Sequence, residues 1–250
     1  MRAATSRRAL RRHVRAHSRP DMLRGVSAQT LSPGTAEDPR YLRVREALTD
    51  AILRLAATRR AEDIPVQELA REARISRQTF YGHAASPADL LTEILVEDLG
   101  PTNDQLLDPL EPGASDRPLL DIWTESFLAT LAHIQRFADV YAVMVREHST
   151  VYNQVLASME ATSHEFVRLT AGRMEGGEPD ELWMEMAAQQ QINNLSAAIQ
   201  AWILTDMADP PEQVLATYLT LVPPWQLAHA DESGRISLRG VRSPRRAGDL

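Results

Sequence analysis

The chain contains no cysteine and no lysine. Without thiols there is no disulfide framework, no thiolate-bound zinc and no cysteine nucleophile, and the composition fits a reducing cytoplasm. Long apolar runs are missing too: every candidate is broken by Glu, Gln or Asp before the roughly 18 residues that a membrane helix needs. A phosphate-binding glycine loop, a dinucleotide fingerprint, a nucleophile elbow and a zinc motif are all absent, and paired acids such as Glu97-Asp98 read as surface, so no enzyme is expected. Nor does any stretch alternate apolar and polar residues with β-branched enrichment. What is present is a 250-residue chain, 44 % hydrophobic, long enough to bury a real core and expected to be soluble.

The formal charge of -7 is sharply segregated. Seven arginines between Arg2 and Arg19 meet no acid, and residues 40–83 hold nine arginines against six acids. From 84 to 230, five arginines oppose 22 acids. A basic amino-terminal third on an acidic body predicts that one end meets a polyanion, although the first residues could also be a solvated charge run. Residues 1–39 lack sustained apolar periodicity and read as a disordered Arg-rich arm. Such a start also resembles a transit peptide, and Met22 is an alternative initiator.

Helical periodicity begins at Arg40. Val44, Leu48, Ala51, Ile52 and Leu55 make one apolar face, with Arg43, Arg45, Arg54 and Arg59 off it. Asp63 offers an N-cap for a short second helix through Val66, Leu69 and Ala73, and Ser76 caps a third through Phe80 to about His83. Ser86-Pro87-Ala88-Asp89 is a capping pattern for a fourth, through Leu90 to Leu99. The segment from Gly100 to Pro118 reads as a loop. Further helices follow through Leu119–Ile134, with a kink at 135–139, then Phe137–Val145, Val151–Met174, Trp183–Ile203 and Leu215–Leu219, before a tail at 227–250 expected to be disordered. The fold class is all-α: a three-helix helix-turn-helix domain at 40–85, joined through helix 4 to a helical bundle at 86–226.

The second and third helices have helix-turn-helix spacing, with small Ala70 where they cross and Ile75 and Phe80 anchoring inward. That arrangement turns Arg77, Gln78, Thr79, Tyr81, Gly82 and His83 to the sides and outer surface of the third helix. Arg and Gln can pair with guanine and adenine edges in the major groove, while hydroxyl, imidazole and amide groups hold phosphates. The run from Leu69 to His83, LAREARISRQTFYGH, followed by Ser86 and Asp89-Leu90-Leu91, resembles the DNA-binding signature of the tetracycline-repressor (TetR) family of bacterial regulators. The likeness spans about residues 42–99, and AAIQAWILTDMADPPEQVLATYL resembles the family's last two helices.

The resemblance implies a homodimer paired through the last two helices that binds a pseudo-palindromic operator on double-stranded DNA. It also implies a small-molecule effector bound in the helical body and no cofactor. Candidate DNA contacts are Arg43, Val66, Gln67, Arg74, Ser76, Arg77, Gln78, Thr79, Tyr81, Gly82 and His83. Three positions depart from the family pattern: Arg74 where a turn glycine is usual, Ala84 for a common Phe, and Pro87 for a common Lys. Arg74 therefore implies a strained left-handed turn or a different turn, and the basic arm could replace the missing charge near Pro87.

Aromatic and Met residues of the acidic body suggest a pocket, with Trp123, Phe127, Tyr141, Met144, Phe166, Trp183 and Asn194 as candidate lining, although ordinary core is the commoner role for such residues. His133, His148 and His164 with Glu147 and Glu160 lack metal-ligand spacing, and no metal site is expected. The function expected from all this is a cytoplasmic one-component transcriptional repressor released by an effector. The alternative is an effector-independent DNA-binding protein whose body only dimerises.

Overall fold

The structure is a computed structural model that describes residues 38–115, 117–171 and 179–222. Among them it is all-α: α1 Pro39–Ala56, a 3₁₀ turn Ala61–Asp63, α2 Val66–Glu72, α3 Arg77–Tyr81, α4 Pro87–Leu107, a second 3₁₀ turn Asp108–Leu110, α5 Leu119–Arg136, α6 Ala138–Arg146, α7 Thr150–Ala171, α8 Glu181–Leu204 and α9 Pro211–Leu219. The expected arm up to residue 37, the end of the helix at 172–174 and the carboxy-terminal tail lie outside the described residues.

Local chemistry explains most of the boundaries. Asp38 caps α1 by accepting from the Arg40 amide at 2.8 Å, with Pro39 at the first helical position, so the helix begins just before Arg40. Ser86 caps α4: its Oγ accepts from the Asp89 amide at 3.1 Å and donates to Asp89 Oδ2 at 2.7 Å. The expected kink at 135–139 is a break at Phe137, whose φ of -111° and ψ of 32° end α5 and start α6.

Two expectations fail. Asp63 does not cap the second helix, because its carboxylate is held by Arg60 at 2.7 and 3.0 Å, and α2 opens after Pro65 with no side-chain cap. The stretch after Leu99 is no loop. α4 runs on through Pro101 to Leu107, despite the amide hydrogen that proline lacks. Burial favours the longer helix: Leu106 and Leu110 are sequestered in the core, and Ser126 Oγ of α5 donates to the Thr102 carbonyl at 3.4 Å.

One continuous apolar cluster runs from α1 to the end of α9. Leu48 and Ile52 of α1, Leu69 of α2 and Phe80 of α3 meet Leu90, Leu91 and Leu95 of α4. α4 then packs on α5 and α7, and α7 on α8, which places α4 in both halves of the molecule.

Three helices end in the same way without glycine. Arg74, His148 and Asp206 adopt φ of 57°, 52° and 57°, each as the residue after a helix C-cap. After α2 the Ile75 amide donates to the Ala70 carbonyl at 2.9 Å and the Arg74 amide to the Arg71 carbonyl at 3.1 Å, the paired bonds of a Schellman cap. The helix-turn-helix turn is thus left-handed at Arg74. A left-handed conformation costs an ordinary L-residue about 1–2 kcal/mol. Glycine relieves this but adds unfolded-state freedom. Arg74→Gly is therefore expected to raise the unfolding free energy by about 0.5–1 kcal/mol in a denaturant titration. Unchanged or lower stability would show that the turn carries no such strain.

Candidate nucleic-acid interface

α3 has only five residues, too few to be helical alone. Ser76 Oγ caps it by accepting from the Thr79 amide at 3.0 Å and meets Thr79 Oγ1 at 2.8 Å. Phe80 is fully buried and fixes the helix to the core. With that face inward, Ser76, Arg77, Gln78, Thr79, Tyr81 and Gly82 are all exposed, Tyr81 by 54 %. Arg74 and Gln67 are exposed on the same side of the pair, and Val66 is half-buried. Gly82 has φ of -76°, so its glycine is not needed for a left-handed turn, but a Cβ there would lie 3.2 Å from the Thr79 carbonyl.

His83 and Arg43 are placed differently. His83 is half-buried, and its ring stacks on Tyr41 of α1 with centroids 4.2 Å apart. Burial, with Arg45 adding to it, pushes its imidazole below the usual value, and its Nδ1 has no partner. Arg43 is exposed and donates from Nε to the Pro39 carbonyl at 3.0 Å.

Four arginines of these first helices are paired with acids. Arg45 meets Glu93 and Glu97 of α4 at 3.3 and 3.6 Å, Arg54 meets Glu72 at 3.1 Å, Arg59 meets Glu68, and Arg60 meets Asp63. Arg71, Arg74 and Arg77, exposed around the turn, have no acidic partner among the described residues. This leaves three uncompensated positive charges beside the polar face of α3, an arrangement suited to a phosphate backbone.

Polar ties run from these helices into the body. The Glu62 carboxylate accepts from Ser149 Oγ at 2.9 and 3.0 Å, from the Thr150 amide at 2.5 Å and from Thr150 Oγ1 at 2.7 Å, at the amino end of α7. Burial pushes this carboxyl up, but the bonds from Thr150 and Ser149 more than offset it and keep it below the ordinary value. Further along α4, Asp98 is clamped by α5: His133 Nδ1 lies 2.6 Å from its Oδ2 and Arg136 Nη1 lies 2.7 Å from its Oδ1. His133 Nε2 is 2.8 Å from the Tyr141 hydroxyl of α6. One neutral tautomer satisfies both contacts, with Nδ1–H donating to Asp98 and Nε2 accepting from Tyr141, whose burial keeps it protonated. None of these residues was visible as a clamp in the sequence, because its partners are 35 and 8 positions apart on three helices.

The body contains a cavity of about 40 Å³ between α4, α5, α7, α8 and α9. Trp123 and Phe127 line it, together with Asn103, Ser126, Gln191 and Tyr218. The other candidate pocket residues lie elsewhere. Tyr141 belongs to the His133 clamp, Met144 and Phe166 are buried in the core, Trp183 packs against it half-buried, and Asn194 is half-buried. Gln191, with its neighbours Gln189 and Gln190, could by sequence bond a ligand or lie on a solvated or dimer face, with solvated the default, while Ser163 carries no pocket signal and Tyr218 is assigned only to the last helix. Among the described residues no three His, Asp or Glu side chains converge as a metal site: His133 is in the clamp, while His164 lies 4.0 Å from Glu160 and 3.7 Å from Glu185. No helix among them is long and apolar enough to cross a membrane.

No protein-family model matches the chain, and no curated protein sequence does. Solved structures do match in shape. The fatty acid degradation regulator FadR from Bacillus halodurans aligns with a TM-score of 0.54 at 18 % identity, over 71 % of this chain and 93 % of its own. NalD of Pseudomonas aeruginosa, the secondary repressor of the MexAB-OprM multidrug efflux pump, aligns with 0.54 at 16 % identity over the same shares. A TetR-family transcriptional regulator from Streptomyces coelicolor gives 0.51 at 15 %, over 71 % of this chain and 77 % of its own. The chain therefore has the fold found in TetR-family regulators.

The clamp has a consequence for pH. Burial, the larger effect, and Arg136 lower the affinity of His133 for a proton, and Asp98 only partly opposes them. A histidine depressed in the folded state binds fewer protons there than in the unfolded chain. Its contribution is thus intact above the unfolded value near 6.5 and is lost as pH falls through the lower folded value. Unfolding free energy is expected to drop between pH 7 and pH 5, and less steeply in His133→Gln. A variant as pH-sensitive as the wild type would contradict the assignment.

Proposed function

We propose that this chain is a homodimeric one-component transcriptional regulator of the TetR type that acts as a repressor in the cytoplasm. Residues 40–85 form the DNA-reading unit and residues 86–226 the dimerisation and effector unit. The observation that carries this reading is the trio Arg71, Arg74 and Arg77, without an acidic partner among the described residues, beside exposed Gln78, Thr79 and Tyr81 on a capped, anchored α3. In this arrangement α3 enters the major groove, Arg77 and Gln78 address base edges, and Arg74, Thr79, Tyr81 and Gly82 hold the backbone. His83, stacked on Tyr41, serves mainly to position α1 against the reading helix.

Dimerisation is supported by α8. Between Glu185 and Asp206 it carries no charge, and its outer face presents Leu182, Met186, Asn193, Ala197, Ala201 and Leu204 while the opposite face is buried. A helix with two uncharged faces needs two partners. A second copy meeting this face would set the spacing of two reading helices on a two-fold operator. An effector in the body releases DNA only if it binds the wrongly spaced dimer better. α4 is the lever for this, since it is tied to α1 through Arg45 and to α5 through Asp98. A second reading, an effector-independent DNA-binding protein, is favoured by the small volume of the cavity, which is about 40 Å³.

In electrophoretic mobility shifts with DNA flanking the gene, the full chain is expected to retain a palindromic fragment, and Gln78→Ala or Tyr81→Ala to weaken specific binding by about 1–3 kcal/mol. Failure to bind any such fragment at low salt would overturn the reading. Ala201→Arg on the outer face of α8 is expected to give monomers in sedimentation because it would bury an unpaired charge, and an unaltered dimer would place the interface elsewhere.

A further inference from the structure

Two residues with orphaned polar atoms line one cavity of the body. Gln191 Oε1 and the Tyr218 hydroxyl have no hydrogen-bond partner among the described residues, although the residues are only 4 % and 3 % exposed. Both residues line the cavity between α4, α5, α7, α8 and α9. Nearly every buried amide oxygen or phenol in a native protein is paired, because leaving it dry and unmatched is costly. Whatever fills this cavity supplies the missing partners.

The remaining lining narrows the occupant. Trp123 stacks on Phe127 and on Tyr218 with centroids 5.1 and 5.3 Å apart, Phe127 and Tyr218 meet at 4.8 Å with a tilt of 32°, and the three rings bring an aromatic cluster to the lining. The hydroxyls of Ser126 and Thr130 are already committed, donating to the Thr102 and Ser126 carbonyls. No lining residue is charged. An ion would therefore leave water without meeting a countercharge, which strongly disfavours it. The buried unmatched atoms of the lining are an acceptor, Gln191 Oε1, and a phenolic hydroxyl, Tyr218, which can donate or accept, and the neutral polar side chains of Asn103, Thr162 and Ser163 complete the lining.

We propose that this cavity is the effector site and that it selects an uncharged, flat, largely apolar molecule bearing a hydrogen-bond donor, for Gln191, beside an acceptor, for Tyr218. Aromatic amides and lactams have that chemistry, whereas carboxylates, phosphates and amines do not. The proposal rests on the effector-released reading above and deepens it. A volume of about 40 Å³ takes a water or two, so a wall moves when such a molecule enters. The wall that yields is α9, in which Tyr218 is the one buried residue. α9 follows α8 directly in the chain, so its displacement disturbs the outer face of α8 that we assign to the dimer.

The test uses the full chain and four probes in calorimetry at pH 7: neutral 4-hydroxybenzamide and 2-quinolone, and their charged counterparts of similar shape, 4-hydroxybenzoate and quinoline-2-carboxylate. The neutral pair is expected to bind and to raise the melting temperature, and the carboxylates to bind at least about tenfold more weakly. Gln191→Leu and Tyr218→Phe each delete one orphaned atom while nearly keeping shape. Each is expected to weaken the neutral probes about tenfold and to leave the melting temperature of the free protein unchanged or raised. Carboxylates that bind as well as the neutral probes, neutral probes that do not bind at all, or variants that bind like the wild type would each overturn the proposal. Operator binding is scored separately in mobility shifts. A chain that holds DNA but neither neutral probe refutes the pocket alone, and one that holds the probes but no DNA refutes the regulator reading.

Discussion

The burial of Phe80 is the contact on which the reading surface depends. A five-residue helix has no independent stability, and α3 exists because one aromatic ring is fully sequestered while Ser76 closes its amino end. Once Phe80 points inward, the direction of Arg77, Gln78, Thr79 and Tyr81 follows from helical geometry. Arg74 completes the arrangement from the other side. Its left-handed backbone ends α2 and starts the turn, so one residue provides both the corner and an uncompensated charge beside the helix.

α4 carries that surface into the rest of the molecule. Its first turns pack against α1 and the first 3₁₀ turn, its middle is gripped at Asp98 by His133 and Arg136, and its end beyond Pro101 lines the cavity through Asn103 and Leu106. A single helix thus touches the first helices, a buried polar clamp and the cavity proposed as the effector site. Glu62 adds a second tie, from the first 3₁₀ turn to the amino end of α7. The body is thus joined to the first helices by the Arg45 ion pairs with Glu93 and Glu97 and by the Glu62 hydrogen bonds to Ser149 and Thr150.

How much of this was legible in the sequence depended on whether the signal was local. Ser76, Ser86 and the Phe80 anchor follow from capping chemistry and apolar spacing, and the structure places them as expected. The extension of α4 through Gly100-Pro101 was not legible, because tertiary burial of Leu106 and Leu110 outweighs the local helix-breaking signal. Asp63 looked like a cap, yet the nearby Arg60 guanidinium claims it. The His133 clamp and the polar cavity lining escaped for a related reason: they arise from residues distant in sequence that carry no motif. Trp123 and Phe127, candidates through their aromatic character, line the cavity, and so does Gln191, for which solvation was the default over a ligand contact.

The central claim is that α3 and its unpaired arginines contact a two-fold DNA site. Hydroxyl-radical footprinting of the full chain on DNA flanking its gene tests this most directly. Two symmetric protected half-sites spaced by whole turns of about 10 base pairs are expected, with protection of both lost in Arg77→Ala. Asymmetric or absent protection, or a symmetric footprint that Arg77→Ala leaves intact, would contradict it.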